Sequence, residues 1–162
     1  MASKELDTLL AALDQAFDKK SWHGTNLRGS LRGVTESEAS WRPAPERHNI
    51  WELTLHAAYW KYVVRRRFTG EPRGSFPHPG SNWFRRPQDP TADDWSLDIR
   101  LLIATHRSMR AAITQLKASD LHVTPFGSTV SNFAIISGVA AHDLYHAGQI
   151  QLLKRLGAKQ PK

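Results

Sequence analysis

The stretch "GEPRGSFPHPGSNWFRRPQDP", residues 70–90, constrains the fold most, because it holds five of the nine prolines and shows no helical period. Proline fixes φ and donates no backbone hydrogen bond, so a segment this rich in it continues no helix from either side. It reads as a long connection. A short loop would force the flanking helices to lie antiparallel, whereas a connection of this length lets the chain cross over.

Both flanks carry helical periodicity. From Ser3 to about Lys20, Leu6, Leu9, Leu10, Leu13 and Phe17 fall on one stripe, and the glycines of "SWHGTNLRGSLRG" predict a break followed by a second short helix. "TESEASWRPAPERH" is turn-rich. Asn49 then precedes Glu52 by three positions, a variant of the capping box, which predicts a long helix running to about Phe68 and closed by Thr69 and Gly70. Beyond the connection, Thr91 paired with Asp94 opens another helix whose apolar stripe runs through Leu97, Leu101, Ala104, Met109, Ala112 and Leu116. After the loop "SDLHVTPFGST", in which "LHVTPFG" has weak strand character, a last helix runs from near Ser131 to Gly157, a residue suited to a left-handed carboxyl cap. Four principal helices, one long connection between the second and third, and no repeat or internal boundary predict an all-α four-helix bundle, with residues 1–162 forming a single domain.

Composition narrows the chemistry. The absence of cysteine removes disulfides, thiolate metal ligands and a protein-borne thiol nucleophile, so any sulfur chemistry needs a small-molecule thiol. A chain of 162 residues buries a core without a metal to staple it. "MASKELDTLLAALDQAF" lacks the unbroken apolar core of a signal peptide and no run is long enough to span a bilayer, which predicts a cytoplasmic protein with no membrane partner. The net charge of +7 invites a nucleic-acid reading. However, Arg65 to Arg67 and the pair Lys154 and Arg155 fall at predicted helix carboxyl ends, where cations favour the helix dipole, so nucleic acid is not the expected partner.

Interior polar residues are the ones that carry function in a bundle, and here they are histidines. His142 and His146 lie four apart, which projects both from one face, in line with Ile135, Val139, Gln149 or Ile150, Leu153 and Leu156. A catalytic zinc or nickel site generally needs a third protein ligand. Beyond His146 the chain has no His, Asp or Glu, so the third must come from an earlier helix. The stripe Leu53, His56, Trp60, Val63 supplies His56. A lone histidine on an apolar stripe is more often a hydrogen-bonded core residue than a ligand, but three on two stripes would each demand a buried partner, which favours a divalent metal held by His56, His142 and His146. His106 lies about one position off its stripe and is the reserve ligand. His23, His48, His78 and His122 fall in turns or loops. Asp143 reads as off the inner face, suited to a salt bridge or to supporting the ligands from behind; Tyr145 and Gln149 stand near enough to the ligands to support them too, and Trp41 and Trp60 are candidates to border a pocket.

"WRPAPERHNIWELTLHAAYWKYVVRRRFTG" followed by "VAAHDLYHAGQIQLLKRLG" resembles the DinB-like (DinB/YfiT) superfamily of metalloproteins, the most specific parts being the Trp41 and Pro43 turn, the helix carrying His56, and "HDLYHAGQ". The resemblance implies up-down-down-up topology, a three-histidine site at His56, His142 and His146, nickel or zinc as the metal, and a homodimer. Some relatives are thiol-dependent transferases or isomerases using bacillithiol, mycothiol or glutathione. The expectation is therefore a metal-dependent enzyme acting on a small-molecule substrate, a thiol S-transferase for small electrophiles in stress response or detoxification. The alternatives are a noncatalytic metal-binding stress-associated protein and a metal-dependent hydrolase, since the same ligands serve either.

Overall fold

The computed structural model describes residues 4–86 and 89–158. Among them there are helices and no strands: α1 (Lys4–Phe17), α2 (Leu27–Ser30), α3 (Glu36–Ser40), α4 (Ile50–Thr69), α5 (Ala92–Thr114) and α6 (Asn132–Gly157), with a single turn of 3-10 helix at Ala118–His122. The expected helix start at Ser3, and Pro87 and Gln88 of the long connection, lie outside the described residues. No described helix is long and apolar enough to cross a membrane.

The ends of the long helices follow their side-chain chemistry. Asn49 caps α4 by accepting the Glu52 N–H at 2.8 Å, and Gly70 closes it at φ +73°, where a side chain would be strained. The reciprocal half of the expected box is absent, because the Glu52 carboxylate is engaged by Arg42 and His48. Thr91 and Asp94 form a complete box on α5, and Ser131 caps α6. Two expectations are corrected. The turn-rich stretch holds α3, whose Thr35 and Glu38 cap each other reciprocally; five residues are too few to show a period. Gly157 is helical rather than a left-handed cap, and α6 ends on Ala158 at φ −66°. A Cβ on Gly157 would lie 3.2 Å from the Trp41 ring, so glycine is present there for close approach.

α4 occupies the middle, packed against both α5 and α6, and its first half from Ile50 to Ala58 is buried on every side. α1 covers α6 and touches α5. Trp51 and Arg65 of α4 donate to Asp98 and Ser108 of α5, whereas Ile50, Leu53 and Leu55 share a cluster with Ile150 and Leu153 while Val64 meets Ile136 and Val139 at the other end. The buried stripe of α5 is Trp95, Asp98, Leu102, His106, Met109 and Ile113, not the expected one; Leu97 and Ala104 are exposed. Two polar residues stand on that stripe, so following apolar residues alone rotates the helix. On α4 the stripe likewise continues through Lys61 and Val64, with Trp60 and Val63 only half-buried.

The connection is folded onto the helices. Buried Asp98 receives Trp51 Nε1 at 2.7 Å and contacts His78 Nε2 at 2.8 Å and Arg86 Nε at 3.1 Å, while Phe76 and Phe84 pack against Tyr59. Two hydrogen-bonding partners and an adjacent guanidinium compensate the burial of this carboxylate. That anchorage holds residues 82 and 83 over α4.

Candidate metal centre

The folding of α4 against α6 brings His56 to His142 and His146, with one ligand atom from each lying within 4.8 Å of the others. His142 Nε2 is 3.0 Å from His56 Nε2 and 3.0 Å from His146 Nε2. His56 and His146 are buried; His142 is half-buried.

The outer nitrogens fix the rings. His56 Nδ1 donates to the Asn82 carbonyl at 2.9 Å, and His146 Nδ1 pairs with Gln149 Oε1 at 2.6 Å. With those protons on Nδ1, both inner Nε2 atoms carry lone pairs. His142 Nε2 has one proton at most to offer, so one of its two contacts sets a lone pair against a lone pair unless a cation lies among the three. Metal–nitrogen bonds of about 2.0–2.1 Å would place neighbouring ligand nitrogens about 3.0–3.4 Å apart, close to what is observed. The donor set therefore fits a divalent transition metal.

Electrostatics point the same way. Burial lowers the His56 pKa against the opposing effect of the Asn82 carbonyl. Burial, then the two adjacent imidazoles, pushes His142 down to about 3, and burial takes His146 to about 4 despite Gln149. Metal binding requires neutral imidazole, and all three rings stand in that form at neutral pH.

A second layer supports the first. Trp83 is stacked between His56, at 3.9 Å between ring centroids, and His48, at 3.6 Å. His48 is held by Glu52 at 2.9 Å, and Glu52, its charged form favoured by Arg42 and His48 against the effect of burial, also receives the Arg42 guanidinium. Asn82, at φ +65°, turns the chain so that its carbonyl meets His56 while its side chain accepts from Trp60 Nε1 at 2.9 Å. On the opposite side, Lys61 Nζ donates to both Asp143 oxygens at 2.5 Å, with both groups fully buried.

The other expected residues divide. Gln149 touches His146 and Trp60 borders the cluster through Asn82, whereas Tyr145 is 64 % exposed and meets His146 edge-on. Trp41 packs on Gly157 instead. His106 is not brought to the cluster; it lies on the buried stripe of α5, stacked on Phe17 at 3.5 Å, with burial and the charges of Lys61 and Arg110 holding its pKa to about 3. His48 and His78 are engaged with carboxylates, and His23 and His122 are exposed. Asp143 is the main correction. It does form a salt bridge, but from the centre of the buried face, flanked by Val139, Ala140, Ala147 and Ile150, while the histidines occupy its edge. Lys61, Asn82 and Trp83 escaped the sequence reading. Lys61 had a signal, a charge seven residues after Thr54 and three before Val64 on a helix with buried residues at those positions; the other two sit where no periodicity exists.

Comparison with curated proteins and with solved structures gives no match. The sequence model of the DinB superfamily matches residues 21–150, a span that includes His56, His142, His146, Asn82 and Gln149. On that match the chain belongs to the DinB superfamily.

Proposed function

We propose that this chain is a metal-dependent enzyme in which His56, His142 and His146 ligate one divalent ion, nickel or zinc, and that it transfers a small thiol to small electrophiles. The observation that carries the reading is the convergence of three Nε2 atoms, with the His56 and His146 rings held at Nδ1 by Asn82 and Gln149, beside a cavity of about 630 Å³ that His146 helps to line. A bound divalent ion supplies the Lewis acidity that lowers a thiol's pKa and presents a thiolate at neutral pH. The residues of this chain orient the ligand rings and keep them unprotonated, while Trp83 covers one face of His56. With no cysteine of its own, the protein leaves the nucleophile to a cosubstrate.

The wider reading is a single-domain, cytoplasmic four-helix bundle in up-down-down-up order. Support for that order comes from the parallel advance of α4–α5 contacts and the opposed advance of α4–α6 contacts. A homodimer is part of the proposal, supported by exposed Val123, Phe126, Val130 and Phe133, grouped closely in sequence with Phe126 near the carboxyl end of α4.

The test is conjugation of glutathione, bacillithiol or mycothiol to a generic electrophile by protein loaded with nickel or zinc. The reading expects turnover that is lost on chelation and in His142→Ala. No metal-dependent turnover with any of these thiols would favour a noncatalytic metal-binding protein.

A further inference from the structure

The cavity beside the cluster has a chemistry of its own. Its walls include Leu152 and Leu156 of α6, Trp83 of the connection, Arg47 and His48 from the turn before α4, and His146. No acidic side chain lines it among the described residues. Leu152 and Leu156 are 58 % and 41 % exposed, an apolar wall open to solvent, and Arg47 at the same cavity is exposed. The Glu52 carboxylate is already engaged by Arg42 and His48, and no ion pair among the described residues involves the Arg47 guanidinium. A volume of about 630 Å³ suits a small organic molecule rather than a macromolecular segment.

From this combination we infer that the cavity binds a small amphiphile bearing one carboxylate, its apolar body against Leu152 and Leu156 and its carboxylate paired with Arg47. The inference rests on the reading of the histidine cluster as the functional centre, and it assigns that centre a substrate class: an apolar acid rather than a neutral or cationic molecule. Arg47 is then a binding and specificity residue, acting on the substrate's charged end. Guanidinium suits the role because it stays charged at any working pH and presents a planar fork of donors to a carboxylate.

Equilibrium dialysis of octanoate, 1-octanol and octylamine tests this with the full chain, since the three share an apolar tail and differ in head group. Octanoate is expected to bind about tenfold more tightly than octylamine, with octanol between them. Arg47→Gln reduces octanoate affinity about two- to fivefold and leaves octanol unchanged, whereas the uncharged polar Leu152→Asn weakens binding of all three. Both substitutions are at exposed positions, and circular dichroism checks that the fold is kept. His142→Ala separates this inference from the metal reading: octanoate binding persists in that variant if Arg47, not a metal, holds the carboxylate. Wild-type protein that carries no metal but binds octanoate through Arg47 sinks the metal reading alone. Metal-loaded protein that binds octylamine as well as octanoate, or octanoate equally with and without Arg47, overturns the inference. So does a dimer that seals Leu152 and excludes all three ligands.

Discussion

Lys61 and Asp143 bond at 2.5 Å through both carboxylate oxygens, neither reaching solvent, at a point where Asp143 adjoins His142 and Lys61 follows His56 by less than two turns. The pair joins α4 to α6 directly beneath the histidines they contribute. Burial pushes the Lys61 pKa down and the Asp143 pKa up, and each partner's charge opposes that shift in the other. Removing one partner strands a buried charge, which costs about 3–5 kcal/mol. Asp143→Ala is therefore expected to lower the urea midpoint severely. The double variant Lys61→Met with Asp143→Leu, which replaces the pair by apolar groups of similar size, recovers most of the loss. A double variant no more stable than Asp143→Ala would show that the pair is not the source of the effect.

Gln149 holds the His146 ring without being a ligand itself. Groups that orient a ligating imidazole are worth about 10- to 100-fold in metal affinity. Gln149→Ala should weaken zinc or nickel binding by that factor in a competition titration against a chromophoric chelator. Its unfolding midpoint in the metal-free form should stay near wild type, because Gln149 is only half-buried.

Asn82 is the one non-glycine residue with positive φ among the described residues, and its carbonyl holds His56. Replacing it by Gly or by Ala loses the same bond to Trp60, but only Ala strains the left-handed backbone, by about 1 kcal/mol. Asn82→Gly should therefore be the more stable variant and bind metal more tightly than Asn82→Ala. Equal metal affinity in the two would separate the turn from the site.

His106 makes stability fall in acid. Its pKa is about 3 in the folded protein against the ordinary 6.5, so the unfolded chain binds the proton more readily and stability declines as pH falls from about 6.5 towards 3. Its Nδ1 is buried with no hydrogen-bond partner among the described residues, so an apolar replacement relieves that defect. His106→Leu is expected to be within about 1 kcal/mol of wild type or more stable at pH 7. It should also show a shallower loss of urea midpoint from pH 7 to pH 4, with His56, His142 and His146, whose pKa values burial also lowers, contributing to the loss that remains. An unchanged slope would contradict the assignment.

Much of this site is legible in the sequence because it lies on long helices. His56, His142 and His146 stand on apolar stripes, and the absence of any downstream ligand directs attention back to His56. The capped ends at Asn49, Thr91 and Ser131 are equally readable, since each depends on residues three apart. What is not legible has a physical reason in each case. Asp98, His106, Lys61 and Asp143 are polar residues buried by partners distant in sequence, so a stripe drawn from apolar residues alone misses their position. Asn82 and Trp83 reach His56 because Asp98 anchors the connection, a tertiary contact that no local pattern encodes. Gly157 reads as a helix cap until the Trp41 ring is found against it.

The most direct test is elemental analysis of untagged protein, wild type beside His56→Ala and His142→Ala. The account predicts close to one divalent transition metal per wild-type chain and loss of it in both variants, with far-ultraviolet circular dichroism retained. Negligible metal in all three proteins after supplementation with nickel and zinc, or equal metal in all three, would contradict it.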